Sequence, residues 1–156
     1  EPGKLSMKRR ITLLIFLIAT MALGGSVGAS TPPGEWYDNL AKPFFNPPDW
    51  VFAPVWTVLY AMVAYAGWRS WDRAKSSVPT QIWFIQFAIN LTWSPVFFGL
   101  QMMGLALIII ILMVVLTIAF IKTSWQPDRL AALFMFPYLG WISFAAVLNA
   151  TLWVMN

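Results

Sequence analysis

Long apolar runs separated by short polar ones make up most of the chain. The runs cover about residues 11–29, 52–71, 80–98, 105–121 and 129–153. Each is close to the roughly 20 residues that carry a helix across the hydrocarbon core of a bilayer. The pattern predicts an all-α fold, an integral membrane bundle of five transmembrane helices. Residues 1–10 form a basic amino-terminal segment with Lys8, Arg9 and Arg10 at its end, and residues 11–156 form the membrane domain. The six residues ahead of Met7 read as a processing remnant. A basic start, an apolar middle and a small-residue end would also describe a cleaved signal peptide from Met7. Against that stand the length of the run and its Gly24/Gly28 pair, which lets another helix approach closely.

Prolines punctuate the runs. Pro54 is expected in the first turn of the second span, where a missing N–H costs nothing. Pro95 is expected to break or kink the end of the third, and Pro137 to kink the fifth. The segment 30–51 breaks the pattern: Pro32, Pro33, Pro43, Pro47 and Pro48 alternate there with Trp36, Tyr37, Phe44, Phe45 and Trp50. Two readings stand side by side, an interfacial aromatic belt joining two spans, or an ordered lid over a cavity, since about 20 residues exceed what a simple connection needs.

Composition sharpens the membrane reading. The 156 residues are 60% apolar and 10% charged, against roughly 45–50% and 25% in a soluble domain. The pI of about 9.7 does not mark a nucleic-acid binder, because the basic residues lie between apolar runs and not along one face. With five spans, one side receives Lys4, Lys8, Arg9, Arg10, Arg69, Arg73, Lys75, Lys122 and Arg129, and the other receives Lys42 alone. The positive-inside rule then places the amino terminus in the cytoplasm and the carboxyl terminus on the opposite side. The absence of Cys and His removes disulfides, thiolate and imidazole catalysis, axial His or Cys ligation of haem, and the usual zinc sites.

No Asp, Glu, Lys or Arg lies deep within a predicted span, which argues against a proton relay or ion pathway. The spans carry amides and aromatic rings at helical spacing instead. Trp56, Tyr60, Val63 and Gly67 share a face of the second span. Gln86, Asn90, Trp93 and Phe97 do so in the third, and Tyr138, Trp141, Ala145, Leu148 and Asn149 in the fifth. Each amide alone is explained by bonding between helices, and each Trp alone by packing. Together, in a chain with 10 Trp, the stripes suggest an aromatic pocket for a flat, mostly apolar molecule.

The segments WYDNLAKPFFNPPDWVFAPVWTVLYAMVAYAGW at 36–68, NLTWSPVFFG at 90–99 and FPYLGWISFAAVLN at 136–149 resemble, in order, those of the tryptophan-rich sensory (TspO/MBR) family, which includes the translocator protein. The resemblance runs over almost the whole chain from Ile11. It implies five transmembrane helices, a homodimer, and a pocket for porphyrins, sterols or isoquinoline- and benzodiazepine-like ligands, closed by the first connection. Pocket roles would fall on Trp56, Asn90, Trp93, Trp141 and Ala145, with Trp36 and the Pro47–Pro48 turn in the lid. Where mammalian members carry a Tyr and an Arg for cholesterol, this chain reads LNATLWVMN, a departure that speaks against tight sterol recognition.

These readings lead to a membrane receptor or sensor that binds tetrapyrroles, protoporphyrin IX or haem, as ligand and not as obligatory cofactor, and that takes part in their transport or regulation. Its partners would be the ligand, membrane lipid and a second copy of the chain. The alternative is an enzyme that degrades protoporphyrin in light. The porphyrin itself would be the photosensitiser and an indole beside it the reductant or oxidation target, so neither His nor carboxylate is required.

Overall fold

The computed structural model describes residues 3–156. Its elements are α1 (Met7–Ser30), a short α2 (Glu35–Asp38), α3 (Asp49–Arg73), α4 (Val78–Ser94) running into a π-helical turn (Pro95–Gly99), α5 (Met103–Ser124), α6 (Arg129–Phe134) and α7 (Phe136–Met155). With α6 and α7 taken as one broken span, five helices are long and apolar enough to cross a membrane. The observed helices reach a few residues beyond their apolar runs, and polar side chains cap two of them. The Ser6 side chain accepts from the Arg9 N–H at the start of α1, and Asp128 accepts from the Ala131 N–H at the start of α6.

The three prolines act at definite points. Pro54 lies inside α3, beyond the expected first turn, because the helix already begins at Asp49 behind Pro48. The bond that Pro54 cannot donate belongs to the carbonyl of Trp50, a residue at the exposed end of the helix. Pro95 turns the end of α4 into a wider coil, in which Leu100 N–H reaches Pro95 O at 2.8 Å and Met102 N–H reaches Val96 O at 3.1 Å. The coil ends on Gln101, at φ 58°. In the fifth span the expected kink is a full break at Met135, which leaves Pro137 near the start of α7, where its missing N–H is least costly.

α5 is the central post. Its buried side, Ala106, Ile110, Met113, Thr117, Phe120, Ile121 and Ser124, follows the helical repeat and packs against α4 and α7. Thr117, the polar interruption of this helix, closes its hydroxyl on the Met113 carbonyl at 2.8 Å. α1 packs along α3, whereas α3 and α7 touch little. Outward faces are apolar, as with Ile11, Leu14, Ile15 and Ile18 of α1 and Ile108, Ile111, Leu112 and Val115 of α5, the surface a lipid environment requires.

One end of the bundle is closed by charge and tight packing. Arg69 grips Asp128 through Nε (3.0 and 3.2 Å) and Nη2 (3.0 Å), and Arg9 pairs with Asp72 at 2.8 Å. Here Gly67 lies directly under the Trp83 ring, and any Cβ would overlap it. The same economy explains Gly24. It is pressed against the Tyr60 ring, so of the Gly24/Gly28 pair Gly24 serves the approach of α1 to α3 within the chain, while Gly28 borders open space. On α4, Phe84 and Ala88 face outward while Trp83 is turned into the core.

Candidate functional site

At the other end the helices separate. The second half of α1, the first half of α3, the end of α4 with its π-helical turn, and α7 enclose a cavity of about 630 Å³, within the usual range for small-molecule sites. Of the residues singled out from the sequence, Trp56, Tyr60, Asn90, Trp93, Phe97, Trp141 and Ala145 all line it. The helical repeat is the reason. Phe52, Trp56 and Tyr60 lie four apart on α3, and Trp141, Ala145, Leu148 and Leu152 descend one side of α7.

The rings are braced against one another at their edges. Trp56 meets Trp141 at 6.5 Å and 89°, Phe52 meets Trp141 at 5.9 Å and 70°, and Trp93 stacks on Phe97 at 5.1 Å. Such pairs hold the walls in place and leave flat apolar surface facing inward. The floor of the cavity is polar. Tyr60 donates to Asn90 Oδ1 (3.1 Å), Asn90 Nδ2 donates to Tyr138 Oη (2.8 Å), and Tyr138 donates to Gln86 Oε1 (3.1 Å). Trp93 Nε1 donates to Asn149 Oδ1 at 3.1 Å, and Asn149 Nδ2 is tied to the Met103 carbonyl at 2.9 Å. The amides that share a stripe with the aromatics therefore bond across helices and set the orientation of the rings. Two buried donors, Trp141 Nε1 and Gln86 Nε2, have no acceptor among the described residues.

Part of the segment 30–51 covers the cavity, with Thr31, Pro33, Tyr37, Asp38 and Asp49 lining it, while Phe44 and Trp50 point outward. Tyr37 is its plug, 3% exposed, with its ring edge-on to Phe97 and Phe98 and its hydroxyl donating to Asn46 Oδ1 at 3.3 Å. Burial raises the Tyr37 phenol above its ordinary pKa. The Asn46 bond opposes this, and the nearby carboxylates of Asp49 and Asp38 add to it. Lys42 Nζ ties down the lid by donating to the carbonyls of Tyr37, Asp38 and Leu40. The Asn156 side chain pairs with both backbone groups of Ala41, each at 3.0 Å.

Three lid residues singled out from the sequence do not line the cavity. Trp36 lies behind Phe97, edge-on at 5.8 Å, and supports that wall. Pro48 terminates the chain turn that starts α3. Pro47 faces an outer groove between α3 and α7, whose other side is formed by Trp141 and Phe144. Sequence reasoning missed Phe52, Phe144, Asp38, Asp49 and the Thr31–Ser94 hydroxyl pair (2.8 Å). Phe52 and Phe144 carry the same four- and three-residue spacing as their Trp neighbours. The Thr31–Ser94 pair joins residues 63 apart, with no local signal.

Among the described residues no group of three or more His, Cys, Asp or Glu side chains converges to hold a metal. What the cavity offers is shape, ring surface and a few amide and phenol groups.

The TspO/MBR family model matches residues 12–154. The chain is 38% identical over 155 residues to the tryptophan-rich protein TspO of Chlorobaculum tepidum, covering 96% of this chain and 98% of that one. It is 36% identical over 137 residues to a tryptophan-rich sensory protein of Cereibacter sphaeroides, covering 88% and 87%. To the translocator protein of Bos taurus it is 36% identical over 143 residues, covering 86% and 85%. Match length, membrane architecture and sequence agree: the chain belongs to the TspO/MBR family of integral membrane proteins.

Proposed function

We propose that the chain is a membrane receptor or sensor that takes a flat, largely apolar tetrapyrrole into the cavity under the lid. The observation that carries the reading is the convergence of Trp56, Trp93 and Trp141 from three helices on one cavity of about 630 Å³ with a hydrogen-bonded polar floor. A macrocycle gains contact area against indole walls, and the amides and phenols fix its edge. The native ligand would be a protoporphyrin or haem. No lining group offers an axial Cys or His to iron, so binding would rest on the ring system and not on the metal.

A second reading is favoured by the same three indoles. Each stands where an excited porphyrin would sit beside it, so light-dependent degradation of the ligand is the enzymatic alternative. Absorption spectra of the purified protein with protoporphyrin IX and with haem, in darkness and after illumination, test both. A saturable shifted spectrum that persists in light supports the receptor. Loss of the porphyrin bands on illumination, faster than in a Trp56→Phe/Trp141→Phe variant, supports the enzyme. The absence of any saturable shift overturns both.

The basic end of the bundle would face the cytoplasm, and the lid, with Lys42 alone, the opposite side. Single cysteines at Ser76 and Phe44 in sealed vesicles, in a chain that has none of its own, should react from opposite sides. Reaction from one side would overturn the orientation.

A further inference from the structure

A chain of hydrogen bonds leads from the cavity into the sealed part of the bundle. Tyr60 and Asn90 line the cavity, and Tyr138 and Gln86 lie behind them, with Gln86 0% exposed. Every hydrogen in the chain points inward: from Tyr60 to Asn90 Oδ1 at 3.1 Å, from Asn90 Nδ2 to Tyr138 Oη at 2.8 Å, and from Tyr138 to Gln86 Oε1 at 3.1 Å. The inward chain ends on a defect. Gln86 Nε2 has no acceptor among the described residues, and a buried donor without a partner is costly.

The same atoms support the opposite direction. An amide that turns over exchanges its oxygen and nitrogen at nearly the same positions, and a hydroxyl swings its hydrogen to suit. No other hydrogen bond among the described residues fixes the Asn90 or the Gln86 amide. With both turned over, Gln86 Nε2 donates to Tyr138, Tyr138 to Asn90 Oδ1, and Asn90 Nδ2 to Tyr60. All three contacts survive. The idle group at Gln86 becomes a carbonyl oxygen, which proteins tolerate more readily than an idle N–H, and the Tyr60 hydrogen is released to the cavity.

We propose that this chain is reversible and makes the cavity prefer flat ligands with a hydrogen-bond acceptor at the buried edge over those with a donor there. Gln86 and Tyr138 are positioning residues, acting on the ligand through Asn90 and Tyr60. An acceptor turns the chain outward, gains the Tyr60 hydrogen and removes the defect at Gln86. A donor is met only by the inward chain, which keeps the defect. The inference deepens the proposed function by naming the ligand's polar edge, and rests on it only in that the cavity takes a flat molecule. A porphyrin carboxylate is one such acceptor.

The test uses three flat probes of one shape, fluorenone as acceptor, carbazole as donor and fluorene as neither, titrated against the full chain in detergent. In the parent, fluorenone should bind about fivefold more tightly than carbazole, and Tyr60→Phe should bring the ratio to one. Gln86→Leu leaves Tyr138 with Asn90 Oδ1 as its acceptor and so locks the chain outward. Carbazole should then weaken to the level of fluorene while fluorenone is kept, which widens the ratio. Tyr138→Phe should do the same and serves if Gln86→Leu folds poorly. A ratio of one in the parent, or the same ratio in the parent and both inner variants, would overturn the proposal. With asparagine labelled by nitrogen-15, the Asn90 amide protons should show nuclear Overhauser contacts to the Tyr60 ring with fluorenone and to the Tyr138 ring with carbazole. Contacts to Tyr138 with both probes would also overturn it. If protoporphyrin IX binds and the three probes bind alike or not at all, the reversal falls and the tetrapyrrole reading stands. If the porphyrin fails to bind and the fluorenone preference holds, the tetrapyrrole reading falls and the reversal stands.

Discussion

The two ends of the bundle are made from the same residue types and use them in opposite ways. At the closed end Trp83 is 2% exposed, stacks on Phe87 at 5.3 Å, covers Gly67 and donates its indole N–H to the Val63 carbonyl at 2.9 Å. Every atom is occupied. At the lid end Trp141 is only partly buried, faces a cavity on one side and a groove on the other, and has an N–H without an acceptor among the described residues. The glycines repeat the contrast: Gly67 is filled by Trp83, whereas a Cβ on Gly25 or Gly28 would meet nothing within 4 Å. In a membrane, helices gain little from hydrophobic exclusion, so stability comes from close packing and satisfied polar groups. Unpartnered buried donors occur toward both ends, Trp68 Nε1 and Ser124 Oγ as well as Trp141 Nε1 among the described residues, so it is the looser packing that distinguishes the lid end.

This contrast can be broken by paired substitutions. The largest effect is expected at Trp83→Ala, which removes a fully packed ring and its bond to the Val63 carbonyl, at a cost of roughly 3–5 kcal/mol. Trp141→Ala should cost only about 1 kcal/mol, because its ring already borders empty volume. Thermal unfolding in detergent compares them, and equal losses would remove the distinction between packing and binding tryptophans.

Next in size is Gly67→Val, which drives a side chain into the Trp83 ring and should destabilise by about 3 kcal/mol. Gly28→Val enters open space and should stay within about 0.5 kcal/mol of the parent. A third substitution sharpens the account of the closed end. Asp128→Asn breaks the grip on half-buried Arg69 but keeps an N-cap for α6. A loss of about 1–2 kcal/mol is expected, with porphyrin affinity unchanged. A fall in affinity would mean that the two ends are coupled.

Much of this arrangement was legible in the sequence, and the reasons are physical. Five apolar runs of spanning length admit few other folds, and a strict helical repeat places Trp56 with Tyr60, and Asn90 with Trp93, on one face whatever the partner helix is. What escaped depended on long-range or backbone events. The Met135 break falls two residues ahead of Pro137, which has no N–H to donate to the carbonyl four residues back. The Pro95 turn widens instead of kinking. Trp36, Pro47 and Pro48 look like lid residues in the sequence, but their side chains brace the wall or face outward, because period and composition say nothing about the direction of an irregular segment. The role of Tyr138, sealed behind Asn90 and Gln86, depended on three helices meeting at one point.

The central claim is that the ligand lies among the tryptophans under the lid and not on the basic surface at the other end. Porphyrin titration of the parent, Trp141→Ala and Arg73→Ala, each checked for folding by circular dichroism and gel filtration, tests it directly. The account predicts that Trp141→Ala loses about 2 kcal/mol, roughly thirtyfold in affinity, while Arg73→Ala binds as the parent does. Binding lost in Arg73→Ala and intact in Trp141→Ala would contradict it.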